Sequence, residues 1–191
     1  NQGDIIRAIE ILTKCIDKRW REPISNEEYE SLAWVYTNRA YLYNERLGDF
    51  LAAKDDYLSA LKQFELCEPS DYLVARYVYE PLGNIYTRFG ENEIAVSMLE
   101  KFKRACEENG EKEALMNSYN DLARTYINTA EFEKAIELFS AGIALDDSEL
   151  LNLGLLYSGK SQVELEINRY DESLTSSSKS IDYLLKVIRD T

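Results

Sequence analysis

The chain has 191 residues, enough for one long domain, with 35 acidic against 22 basic side chains and a formal net charge of −13. That balance argues against a nucleic-acid partner, because phosphate binding needs a basic face that releases counterions. With no histidine, and with three cysteines (Cys15, Cys67 and Cys106) too far apart for a CxxC pair, the sequence lacks the usual metal ligands and the commonest general base.

Few glycines and prolines interrupt the chain, and the apolar spacing predicts an all-α fold of about nine helices. Residues 1–20 read as the second helix of a truncated repeat. They open on Asn1-Gln2-Gly3-Asp4 without an initiator Met, so the sequence reads as a piece of a larger protein. Residues 26–68, 70–109 and 111–147 read as helix hairpins that turn at Leu47-Gly48-Asp49, Phe89-Gly90-Glu91 and Ala130-Glu131. In the last of these, Leu115, Tyr119, Leu122, Ala123 and Tyr126 share one helical face, and Phe132, Ala135, Ile136, Phe139 and Ile143 share another. Residues 148–190 form a degenerate or terminal hairpin turning at Asn168-Arg169. No stretch alternates for long enough to make a strand. No apolar run nears the ~18 residues of a membrane span, and nothing resembles a signal peptide. The dispersed, odd cysteine count fits a reducing compartment, hence the cytoplasm.

The hairpins repeat. A small residue follows each turn, at Ala8, Ala53, Ala95, Ala135 and Ser173, with spacings of 45, 42, 40 and 38 residues. Before the turns stand Tyr79-x-x-Leu82-Gly83-x-x-Tyr86 and Tyr119-x-x-Leu122-Ala123-x-x-Tyr126. A looser copy, Ala40…Tyr43, carries one extra residue before Gly48. These motifs resemble the tetratricopeptide repeat. The long period is similar to the branch that includes the kinesin light chain. In the last hairpin Lys160, Ser161 and Glu164 replace the usual apolar, small and aromatic residues. Residues 79–88 also look similar to repeats found ahead of CHAT protease domains in bacteria. Pro81 falls inside a helix and is expected to kink it, leaving the Tyr77 carbonyl without its helical donor.

The resemblance implies a right-handed superhelical solenoid of antiparallel hairpins whose first helices line a concave surface. On those helices a second stripe stands away from the apolar one. It comprises Trp34, Asn38 and Tyr41, then Tyr77, Asn84 and Arg88, then Asn117, Asn120, Arg124 and Asn128, interspersed with Thr37, Glu45, Glu80, Pro81 and Asp121. An amide can pair with both groups of an extended peptide backbone, arginine forks a carboxylate, and the aromatics offer stacking area. A stripe for peptide capture is one reading. The other is that solenoid helices need a polar solvated face in any case. Family members that grip the C-terminal carboxylate of heat-shock chaperones use Lys and Asn, then Asn, then Lys and Arg on three successive first helices, at places held here by Thr37 and Tyr41, then Pro81, then Asn117 and Asp121. One repeat later those places hold Glu80, Asn84, Asp121, Leu155 and Gly159. Neither register supplies the lysines, which argues against that clamp.

Other candidates have plain readings. Asp55-Asp56 and Asp146-Asp147 read as surface or helix-end charge rather than catalytic pairs. Cys15 and Cys106 are expected to be buried and Cys67 more exposed. The run Ser176-Ser177-Ser178 is a phosphosite or a packing face for a further neighbour. Ile181, Leu184, Leu185 and Ile188 need cover, which implies continuation of the chain or self-association through the last helix. The sequence therefore points to a non-enzymatic scaffold, without cofactor, metal or membrane, that holds a protein, an extended peptide or another domain of its own chain. The alternative is a regulatory module of a multidomain enzyme such as a CHAT protease. A transcriptional peptide-pheromone receptor would add a helix-turn-helix domain, and none is visible here.

Overall fold

The computed structural model describes residues 2–18, 25–67, 69–145 and 148–190, and within them every regular element is helical. In chain order these are α1 (Gln2–Asp17), α2 (26–47), α3 (Phe50–Phe64), α4 (71–89), α5 (Asn92–Asn109), α6 (Lys112–Asn128), α7 (Phe132–Ile143), α8 (Leu150–Glu166) and α9 (Tyr170–Asp190). The chain forms two compact units that meet between Ile85 and Tyr86, inside α4.

In the first unit, α2 starts on a capping sequence. The Ser25 hydroxyl accepts the Glu28 N–H at 3.3 Å, satisfying one of the unpaired donors of the first turn. Helices α2 and α3 then cross on small residues. Ala33, Ala40, Ala53 and Ala60 are all fully buried, and the Tyr57 ring fills the space they leave. Arg39 of α2 grips the buried Asp56 of α3 through two 2.7 Å hydrogen bonds and donates a third, at 2.8 Å, to the Thr13 hydroxyl of α1. The rings of Tyr36 and Tyr43 stand about 6 Å from its guanidinium carbon. Asp56 is therefore neither surface charge nor half of a carboxylate pair; it is the counter-ion that permits an arginine among three helices. Asp146-Asp147 lies outside the described residues.

Two departures from ideal helix have sequence causes. The last part of α2, Leu42–Leu47, is π-helical, which absorbs the extra residue noted before Gly48. The Asp49 N–H consequently reaches back six residues to the Tyr43 carbonyl, whereas Glu91 and Glu131 reach back five, to Tyr86 and Tyr126. In α4, Ala75–Tyr79 is π-helical, and the Glu80 N–H bonds the carbonyl of Ala75. Pro81 is thus met by a widened turn rather than by a bare kink. The widening relieves the pressure of the proline ring on the carbonyls of the preceding turn.

The second unit repeats the crossing logic. Ala95, Ala123 and Ala135 are fully buried, as are Leu99 and Phe139. Phe139 belongs to one cluster with Met116, Leu153, Leu156 and Val163, edged by Tyr126 and Tyr183. On α8 two glycines mark close approaches. A Cβ at Gly159 would lie 2.4 Å from the Phe139 ring, and one at Gly154 would lie 2.7 Å from Leu184. Serines join apolar residues in sealing α8 to α9. Ser173 bonds the Ser161 carbonyl at 2.9 Å, Ser180 bonds the Gly154 carbonyl at 2.8 Å, and Ser161 meets the Ser177 hydroxyl at 2.5 Å. Within the Ser176–Ser178 run, Ser176 is buried and Ser177 meets α8, whereas Ser178 is exposed. Leu184 is also covered there, whereas Ile181, Leu185 and Ile188 stay exposed.

The turns end in left-handed residues: Gly48, Gly90, Gly110, Ala130 and Asn168. Among the described residues, only Ala130 and Asn168 hold a side chain at positive φ. Alanine at such a position carries a cost of about 1–2 kcal/mol that glycine avoids. Opposite signs are accordingly expected in a pair of denaturant titrations. Ala130→Gly should stabilise by about 1 kcal/mol. Gly159→Ala should destabilise by about 1–3 kcal/mol, although an exposed helical glycine would gain from the same change. Asp56→Ala should cost about 3–5 kcal/mol, because it strands the Arg39 charge, and replacing both partners by Met and Leu should recover most of that loss. A near-parental Asp56→Ala would show the pair to be solvated.

Candidate interaction surface

The stripe residues of the first unit come from α2 and the front of α4. Trp34 is half-buried. Its ring sits edge-on to Phe64 at 5.0 Å and to Tyr77 at 5.9 Å, and its indole N–H donates to the Glu30 carboxylate at 3.3 Å. Tyr77 and Tyr41 are each about half exposed, at 50% and 47%. Asn38, one turn along α2 from Trp34, is exposed, and Asn84 is half-buried. Trp34 and Tyr77, which are 43 positions apart, are therefore brought into contact. The buried Tyr57 phenol lies under this face. Burial pushes its pKa up, and the charges of Glu45 and Glu80 add to the effect. Thr37 turns inward, its hydroxyl donating to the Ala33 carbonyl at 2.9 Å.

In the second unit Arg88, Arg124 and Asn128 are exposed, and Asn117 and Asn120 are half-buried. The opposite face of α6 buries Leu122, Ala123 and Thr125. Asp121, in the middle of the expected stripe, is itself buried. Asn128 has a structural duty as well, since its amide donates to the Thr87 carbonyl at 3.1 Å. The hydroxyls of Thr87 and Thr125 meet at 2.8 Å, and that of Thr125 bonds the Asp121 carbonyl at 3.0 Å. Arg88 and Arg124 are thus the exposed cations of this face, Asn117 and Asn120 are half-buried, and Asn128, though exposed, bonds the end of α4.

The cysteines reverse part of the expectation. Cys106 is buried, but Cys15 is exposed and Cys67 is buried. Helix α1 buries no residue at all, so a second-helix position there carries no cover. Cys67 folds under the end of α3, where its thiol contacts the Gln63 carbonyl at 3.4 Å and burial raises its pKa. Among the described residues no three Cys, Asp or Glu side chains converge as metal ligands, and no helix is long and apolar enough to cross a membrane. A further site escaped the sequence reading: a crevice between α7, α8 and α9 lined by Lys160 and Glu164. Its only signal was the departure of those two residues from the repeat pattern.

The family model for the tetratricopeptide repeat matches residues 117–149. Curated proteins give no sequence match. Several solved structures share the fold. BtubC (BKLC) from P. vanneervenii superposes with a TM-score of 0.82 at 15% identity, over 97% of this chain and 75% of that one. The nearly identical TPR-like repeats of a Podosopora anserina kinesin light chain give 0.77 at 16% identity, over 97% and 90%. Aspartyl phosphate phosphatase F from Bacillus subtilis gives 0.78 at 15% identity, over 97% of this chain but only 49% of that one. Residues 117–149 are similar to the tetratricopeptide repeat, and the chain shares the fold of these repeat structures.

Proposed function

We propose that this chain is a non-enzymatic interaction scaffold that holds a protein or an extended peptide against the polar and aromatic stripe of its first helices. One observation carries the reading. On α6 Arg124 is exposed and Asn117 and Asn120 are half-buried, while their neighbours at 122, 123 and 125 are fully buried, so a guanidinium and two amides reach the surface at helical spacing. The same division holds on α2, where Asn38 and Tyr41 face out while Ala33, Thr37 and Ala40 face in. Amide side chains recognise a peptide backbone whatever its sequence, and half-exposed Tyr41 and Tyr77 add contact area at little entropic cost. Repeat helices held by their neighbours supply the preorganisation that such weak polar contacts require.

A peptide library selected on the 1–191 chain should yield binders whose affinity falls about tenfold or more with Asn84→Ala combined with Arg124→Ala, a loss of about 1.4 kcal/mol or more. Circular dichroism and melting of that double variant should remain near parental. Unchanged affinity would move the binding surface off the first helices.

A further inference from the structure

In two of the hairpins the positions before the turn hold a leucine and a tyrosine, Leu82 with Tyr86 and Leu122 with Tyr126, and both leucines are fully buried. On α8 the same positions are Lys160 and Glu164. Glu164 nevertheless goes inside and is only 4% exposed. One of its carboxylate oxygens lies 3.9 Å from the Lys160 ammonium, too far for a hydrogen bond, and the other, Oε2, is buried with no hydrogen-bond partner. A buried carboxylate oxygen without a donor is costly, and a fold tolerates it where something else supplies the donor.

Beside Glu164 lies a crevice of about 380 Å³, lined by Glu164, Lys160, Tyr157 and Ile143, with Asp171 and Glu172 from α9. That volume is in the range of small-molecule sites. Lys179 also lines it, its ammonium 5.2 Å from the centroid of the Tyr157 ring, so the ring already serves as a seat for a cation. Three carboxylates against two ammonium groups leave the lining one negative charge in excess. Both lysines are engaged, one towards Glu164 and the other over Tyr157, whereas Glu164 Oε2 still lacks a donor.

We propose that this crevice binds a small organic cation bearing a primary ammonium group. The ammonium donates to Glu164 Oε2, Asp171 and Glu172 add attraction from α9, and the alkyl part lies on Tyr157 and Ile143. The site is separate from the stripe on the first helices and does not depend on it.

Titration of the 1–191 chain with 1,4-diaminobutane and with n-butylamine, followed by backbone amide NMR, should give saturable shifts on α8 and α9, and butyrate at the same concentrations should give none. Glu164→Gln keeps the shape and removes the charge, and is expected to weaken the amines about tenfold or more. Glu164→Tyr restores the ring of the other repeats, so it should abolish binding while melting at or above the parental temperature. Non-saturating shifts, equal binding by Glu164→Gln, or crystals grown with the diamine that show only a water on Oε2 would each overturn the proposal.

Discussion

Close approach of helices at residues without bulk is the constraint on which both units rest. Ala33 and Ala40 on α2 stand two turns apart, as do Ala53 and Ala60 on α3, and none of the four is exposed at all. In the second unit Ala95, Ala123 and Ala135 are equally enclosed, and Gly159 leaves room for the Phe139 ring. Dispersion contacts are individually small, so a hairpin is stable only when its backbones come near enough for many of them to be made together. Large rings such as Tyr57 and Phe139 then fill the space beside each crossing, and the alternation of small with large makes one packing arrangement fit better than its slipped neighbours.

That packing leaves little tolerance for helical register, and the chain corrects register errors where they arise. An added residue in an α-helix rotates everything beyond it by about 100°. The π-helical turn at Leu42–Leu47 takes up such a residue before the turn at Gly48, so that α3 presents its alanines to α2. Ala75–Tyr79 is widened in the same way, there to accommodate the ring of Pro81. Because the inward face is kept in register, the outward one is too. On α2 the outward placing of Asn38 and Tyr41 is in this sense a by-product of the core, since Thr37 and Ala40 beside them are buried.

Charge is handled in two ways. Most of the acidic excess is solvated, but Asp56, Asp121 and Glu164 are buried, and Asp56 and Glu164 have different outcomes. Asp56 is fully matched by the fork of Arg39, which also ties α1 through Thr13. Glu164 is not matched, since its lysine lies one turn away and too far for a hydrogen bond. Where two hairpins have a leucine and a tyrosine, the last one has exchanged packing for polarity, and the serine seam between α8 and α9 makes the same exchange with its hydrogen bonds satisfied.

The helical class, the positions of the turns and the small residues at the crossings were legible in the sequence. They depend on backbone hydrogen bonding, side-chain period and the left-handed preference of glycine, all of which act over a few neighbouring residues. Even the extra residue before Gly48 was visible as an offset, although its π-helical form was not. Burial of particular polar and sulfur-bearing groups could not be read in the same way. Cys15 has a core-like place in the repeat yet lies exposed, Cys67 tucks under a helix end, Asp56 and Asp121 go inside, and Glu164 is buried without a donor. For Asp56 the deciding neighbour, Arg39, lies on another helix, and only the folded chain brings the two together.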